Sequence, residues 1–356
     1  MTTLRDEIEA LCAAIGRRIG LMEVCGTHTV ALFRSGVRGM LPANLRLISG
    51  PGCPVCVTAQ GDIDAAIELA DQPGVIITTY GDMIRVPGRR GSLEQRRAEG
   101  ADVRVVSSAK RALRLARENP GREVVFLAVG FETTAPATAA VVRAAHRERL
   151  TNFSVLVSHK LVVPAMRALL ADGDAALDGF LCPGHVSVII GAEAYREVVE
   201  TYHKPCVVTG FEPAQMLLGI THLVRQIHTG AARLENVYDT VVAPHGNPVA
   251  RALLAEVFVV AGARWRELGE IPDSGLVLGP KYEAFDAARR FGIVISPEVI
   301  DPACLCGSVI QGKVEPRQCK QFATACTPLN PIGPCMVSSE GTCAAWFHYA
   351  GAPVEA

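Results

Sequence analysis

Cys25 and His28 stand three residues apart in Glu23-Val24-Cys25-Gly26-Thr27-His28-Thr29, directly after the apolar run of residues 21–24. Cysteine as thiolate is a nucleophile and a soft metal ligand, and neutral imidazole partners it in either role. The plain structural alternative is a strand end with a buried thiol and a histidine on the loop beyond it. A second pair follows in Gly50-Pro51-Gly52-Cys53-Pro54-Val55-Cys56. A C-x-x-C closes to a disulfide with little backbone motion, and a helix starting there would favour a thiolate. The same spacing is half of a zinc knuckle. No second C-x-x-C exists to complete one, which favours a redox pair.

The third constellation is the tail. Cys306, Cys319, Cys326 and Cys343 are separated by 12, 6 and 16 residues, among Pro316, Pro328, Pro331, Gly333 and Pro334. Loops of this kind let distant thiolates converge on one centre. Four thiolates suit structural zinc or a [4Fe–4S] cluster, and the long, irregular spacing favours the cluster. Cys304 and Cys335 are alternative ligands. Cys12, Cys182 and Cys206 are scattered and read as buried thiols. Gly307-Ser308-Val309-Ile310-Gln311-Gly312-Lys313 imitates a phosphate loop. Val314 replaces the hydroxyl that would hold magnesium, and no buried strand precedes it, so that reading is rejected.

The elements that must position these groups follow from periodicity. Leu4, Ile8, Leu11, Ile15 and Ile19 make one helix face. Apolar runs at 21–24, 45–48, 75–79, 103–106, 124–129, 153–157, 180–181 and 206–209 read as strands, with helices between several of them. Short continuous apolar strands alternating with helices predict α/β architecture with covered parallel sheets. Polar groups gather just after strands: Glu132-Thr133-Thr134, Ser158-His159-Lys160 and Pro183-Gly184-His185. Those ends are where such sheets bind ligands. Gly130-Phe131-Glu132 and Gly210-Phe211-Glu212 each follow a strand, 80 residues apart, which suggests duplication.

The reading is two similar parallel-sheet α/β domains plus a third, cysteine-rich iron–sulfur domain. Residues 21–148 form the first, with Cys25 and the C-x-x-C; residues 149–270 form the second. Residues 1–20 and 271–356 form the third, the N-terminal helix packing against the tail. From about Arg264 the chain reads as less regular.

Composition narrows the function. The chain has 356 residues, 49% of them hydrophobic, enough for a sizeable core, and a net charge of −1. There is no basic excess to neutralise phosphates, so nucleic acid is a poor partner. No apolar run reaches membrane-spanning length, and the first residues lack a secretory pattern, so a cytoplasmic protein without a membrane partner is expected. Twelve cysteines in that compartment point to metal or redox chemistry rather than structural disulfides.

Cys25-Gly26-Thr27-His28, Gly50 to Cys56, Gly130-Phe131-Glu132-Thr133-Thr134, Pro183-Gly184-His185 and Cys335-Met336-Val337-Ser338-Ser339-Glu340-Gly341 occur in one order across nearly the whole chain. Together they resemble the HypD family of hydrogenase-maturation proteins. The resemblance implies a scaffold for the Fe(CN)2CO unit of [NiFe] hydrogenases, working with a small HypC-type chaperone and a HypE-type cyanide donor. It implies that Cys25 ligates the iron that carries CN and CO, with His28 beside it. Cys53 and Cys56 would be the thiol/disulfide pair, and Glu340 joins these active residues. Cys306, Cys319, Cys326 and Cys343 would hold the [4Fe–4S] cluster. The competing reading is an iron–sulfur-dependent thiol/disulfide oxidoreductase acting on a partner protein, and a zinc-stabilised binding module is the third.

Overall fold

The eight apolar runs all become strands, because each is long enough only for an extended segment and is bounded by helix starts or turn residues. A computed structural model describes residues 2–173, 176–299 and 303–350. The remaining positions of the 1–20 and 271–356 unit, Met1, 300–302 and 351–356, lie outside the described residues. The strands are β1 Ile19–Glu23, β2 Leu45–Ser49, β3 Val75–Thr79, β4 Val103–Val105, β5 Glu123–Gly130 and β6 Phe153–His159. They continue as β7 Gly179–Pro183, β8 Cys206–Thr209, β9 Leu234–Asn236, β10 Phe258–Trp265 and β11 Gly269–Leu278.

Two parallel sheets result. One has the order β2-β1-β7-β8-β9 and the other β4-β3-β5-β6. Counted within each sheet, the orders are 2-1-3-4-5 and 2-1-3-4, one winding used twice. Duplication therefore holds at the level of topology. The two Gly-Phe-Glu segments are not its equivalent points, since one follows the third strand of its sheet (β5) and the other the fourth (β8).

The strands also divide differently from the order 21–148 then 149–270. The second sheet is inserted between β2 and β7 of the first. Consequently β1 and β2 pair with β7 and its neighbours, and β6 stays with β5. Strand pairing is lateral, and a parallel crossover can leave a sheet, build another and return, which chain order alone does not reveal.

Burial follows the pleat. In β1, Leu21 faces a cluster with Ile8, Leu181, Met216 and Ile220, while Met22 faces the large central cluster. The helix Thr2–Ile15 thus packs on the helix Pro213–His228 and the first sheet, with Glu7 paired to Arg225, and not on the tail as its position suggested. In the second sheet Val125 and Leu127 face the central cluster with Ile63 and Ile67 of the helix Gln60–Ala70. Val124 and Phe126 face Leu113 and Val142 of the helices Ala109–Glu118 and Ala135–Arg147.

The stretch beyond Arg264 is more regular than expected. β10 and β11 form an antiparallel hairpin with a bulge between Ala261 and Ala263, and Trp265 is fully buried, donating from Nε1 to Ser274 at 2.8 Å. The cysteine-rich tail is turns and short helices (Cys306–Ile310, Pro334–Val337, Thr342–Tyr349). It joins the central cluster through Cys306, Cys335 and Cys343, beside Cys53, Val55 and Cys56.

Candidate functional site

In a 2-1-3-4 sheet the loops after the first and third strands diverge, leaving a crevice at the carboxyl edge. In the first sheet those strands are β1 and β7. Cys25 lies just past β1, at the N-cap of the helix Gly26–Arg34, and His185 lies just past β7. The fourth strand, β8, brings Gly210-Phe211-Glu212 to the same edge. Three motifs far apart in sequence meet there. His28 is fully buried, and its Nε2–H donates to the Gly210 carbonyl at 3.0 Å. Its ring lies 4.5 Å from Phe211, and His185 stacks on Phe211 at 3.9 Å. Burial pulls His28 down to about 4, so it is a neutral, Nε2-protonated ring at pH 7, with Nδ1 unpartnered among the described residues.

Cys25 is half-buried. Burial pushes its thiol up to about 11; the amides of His28 and Thr27 and the Thr27 hydroxyl favour the thiolate, and the negative charge of Glu340 opposes it. Glu340 arrives from the tail and accepts the Thr27 hydroxyl at 2.8 Å. A Cβ on Gly26 would fall 2.6 Å from the Glu340 carbonyl oxygen, so only glycine admits this approach.

Behind Cys25 sits a network that sequence reasoning missed. Glu23 is fully buried, with Ser49 and Thr29 hydroxyls 3.1 and 3.4 Å from Oε1 and Arg38 at 3.6 Å. Burial raises its pKa, and Arg38, Ser49 and Thr29 oppose the rise. The available signal was a glutamate ending an otherwise apolar strand. The network ties β1, β2 and the Cys25 helix together.

The C-x-x-C packs directly on this site. Cys53 and Cys56 are joined as a disulfide, with Cα atoms 5.3 Å apart, at the start of the short helix Pro54–Val57. Gly26 N–H donates to the Gly52 carbonyl at 3.3 Å. A Cβ on Gly52 would lie 2.4 Å from the Cys25 nitrogen. On the other side, Cys56 Sγ is 4.0 Å from the Pro334 carbonyl, beside Cys335. A cavity of about 440 Å³ opens between the β3 and β5 loops, the switch point of the second sheet. Val55, Tyr80, Asp82, Thr134, Ser338 and Glu340 line it. Glu340 thus borders both crevices. Of the other polar loops, Ser158 and Lys160 gather with Asp62 at the end of β6, away from Cys25.

Cys306, Cys319, Cys326 and Cys343 line one largely apolar cavity, with Cys304 as a fifth thiol. Cys335 is fully buried outside that lining, against Cys306 and Cys343. Hydrogen bonds from Cys306 and Cys335 lower Cys343 to about 6, while contact with Cys306 and Cys343 holds Cys335 high and contact with Cys306, with burial, holds Cys304 high. The donor set fits an iron–sulfur cluster. The thiols surround an apolar cavity, the Ile332 amide donates to Cys326 Sγ at 3.4 Å, and Gly333 presses its backbone on Cys304 and Cys306, where a Cβ would fall 2.7 and 2.5 Å from the sulfurs. Among the described residues, no three ligating side chains are grouped for a single metal ion. Nor is any helix among them long and apolar enough to cross a membrane.

Comparison with known proteins gives one consistent result. A family model described as "HypD: Hydrogenase formation hypA family" matches residues 1–350. A hydrogenase maturation factor HypD from Azotobacter vinelandii is 49% identical over 340 residues, covering 94% of this chain and 90% of the relative. One from Escherichia coli K12 is 46% identical over 347 residues, covering 97% and 93%. One from Rhodobacter capsulatus is 46% identical over 358 residues, covering 98% and 95%.

Proposed function

Because the chain belongs to the HypD hydrogenase-formation family and thus to hydrogenase maturation, we propose that it is the scaffold on which the Fe(CN)2CO unit of [NiFe] hydrogenases is assembled. It works there in the cytoplasm with a HypC-type chaperone and a HypE-type cyanide donor. One observation carries the reading. Three thiol sets lie in sequence: Cys25 at a switch point, the Cys53–Cys56 pair against its backbone through Gly52, and the cysteine-lined cavity reached from Cys56 through Pro334.

The iron is substrate, and Cys25 supplies one thiolate to it while the chaperone supplies another. A thiol raised to about 11 keeps its proton until a cation displaces it. The Thr27 and His28 amides then stabilise the thiolate, and Glu340, anchored by Thr27, is a base beside the departing proton. Soft thiolate donation suits the low-spin, electron-rich iron that CN and CO require. Neutral His28, fixed on Gly210 and Phe211, walls the crevice without adding charge.

Releasing cyanide from a thiocyanate donor is reductive: RSCN + 2 Cys-SH gives RSH, one disulfide, CN⁻ and H⁺. Cys53 and Cys56 supply that electron pair and end as the disulfide. Cys306, Cys319, Cys326 and Cys343 would hold a [4Fe–4S] cluster, which supplies single electrons when bound.

Infrared spectroscopy of the protein co-produced anaerobically with the other maturation factors tests the assignment. CN and CO stretching bands are expected, and Cys25→Ala should abolish them while leaving the tail's iron in place. Undiminished bands in Cys25→Ala would refute Cys25 as the ligand.

A further inference from the structure

The cavity of the tail is not buried evenly. Cys306, Cys326 and Cys343 are buried, whereas Cys319 is half-exposed on the segment Pro316–Gln318 and its following turn. The surface around Cys319 has a distinct chemistry. Arg317 and Lys320, on either side of it, are exposed. From Glu315 to Ala350 the sequence contains two carboxylates, Glu315, which pairs with Arg46, and Glu340, which is turned inward to Thr27. An apolar step leads outward from the same corner. Phe322, whose amide donates to the Cys319 carbonyl at 3.0 Å, lines the cavity and meets Phe347 edge-on at 6.4 Å. Phe347 is 38% exposed. Arg317 is held in place by the Ala350 carbonyl at 2.7 Å and by the Trp346 ring.

We propose that the face of Arg317, Lys320 and Phe347 around Cys319 docks an acidic one-electron carrier protein, which reduces the cluster through its Cys319 corner. The inference rests on the cluster reading above. A small contact with basic residues around an apolar centre is the build of weak redox encounters, which turn over quickly and owe their rate to charge steering. In each encounter the carrier is oxidised by one electron and the cluster reduced by one, and no atoms move. Two encounters, with two protons from solvent, return the Cys53–Cys56 disulfide to the dithiol. The opposite side of the cavity suits this poorly, because Cys306 and Cys343 back onto Cys335 and the central core.

The test uses the full-length, anaerobically isolated protein and a reduced plant-type [2Fe–2S] ferredoxin, an acidic carrier, as probe. At low salt, Arg317→Glu/Lys320→Glu is expected to lower the second-order rate of reduction about tenfold and to flatten its dependence on ionic strength. Photoreduction by uncharged deazaflavin should keep its wild-type rate. Carbodiimide, which joins amines to touching carboxylates, should link Lys320 to the ferredoxin whether or not electrons flow. Lys320→Glu alone, which leaves the Arg317–Ala350 bond intact, should give a smaller drop and guards against misfolding of the double variant. Wild-type rates in both variants, a ferredoxin that neither reduces nor cross-links to the wild-type protein, or a cross-link mapped elsewhere overturns the docking face. Wild-type protein isolated without iron overturns the cluster reading and this inference together, whereas iron-bearing protein with unchanged variant rates overturns only the inference.

Discussion

Glu132 offers the most quantitative check on the physical reasoning. It follows β5, is 4% exposed, accepts the Val162 amide at 3.0 Å through Oε1 and has no partner at Oε2 among the described residues. Burial raises its pKa from 4.5 to about 7, against the pull of the backbone hydrogen bonds. The native carboxyl therefore holds a proton that the unfolded chain has lost between those values. Its contribution to stability is fully present below 4.5 and is lost as pH rises through about 7. At 1.36 kcal/mol per pH unit, the full loss is about 3 kcal/mol. Glu132→Gln keeps an acceptor for Val162 and never ionises. The variant should match wild type near pH 5 and exceed it by up to about 3 kcal/mol at pH 8. Urea midpoints with unchanged slopes at pH 5, 6.5 and 8 measure this. A variant no more stable than wild type at pH 8, or equally stabilised at pH 5 and 8, refutes the assignment of a buried, neutral Glu132.

Two further outcomes follow from the Cys25 surroundings. Gly52→Ala places a methyl 2.4 Å from the Cys25 nitrogen, so unfolding should show a loss of about 1–3 kcal/mol, and the infrared bands should weaken because Cys25 moves. Arg38→Met leaves the buried Glu23 without its cation; with Arg38 itself 18% exposed, a cost of about 2–3 kcal/mol is expected, and Glu23→Gln/Arg38→Met should recover most of it, whereas simple additivity in that cycle contradicts a paired charge.

How much was legible in the sequence depended on whether the signal was local. The strands were readable because each carries its own apolar run, and Cys53-Pro54-Val55-Cys56 because four adjacent residues define it. Pairing was not readable. Nothing in residues 45–75 says that the chain departs from β2 to build another sheet and returns at β7. The Gly-Phe-Glu repeat misled for the same reason, since like text follows unlike strands. The hairpin of β10 and β11 was hidden by Pro272, Asp273, Ser274 and Gly275 inside β11, and by a bulge that breaks the alternation of β10. The stack of His28, Phe211 and His185 draws on the ends of β1, β8 and β7, so no window of sequence contains it.

Topology also explains why the Cys53–Cys56 pair lies where it does. β2 is the neighbour of β1 in the first sheet, so the chain leaving β2 starts beside the crevice that holds Cys25. The next strand it forms, β3, belongs to the other sheet. The segment between them must run from one sheet's carboxyl edge into the shared core, and Cys53 to Cys56 occupy its first turn. The helix Pro334–Val337 packs on that turn and brings the cysteine cavity to its far side. The Gly52 carbonyl, in the peptide bond to Cys53, accepts the N–H of Gly26, one residue from Cys25. Opening or closing the Cys53–Cys56 ring changes the backbone at Cys53, and the tight seat of Gly52 on Cys25 leaves little room to absorb that change. The inserted sheet therefore does more than add a second cleft, because its point of departure places the Cys53–Cys56 disulfide against the backbone of Cys25.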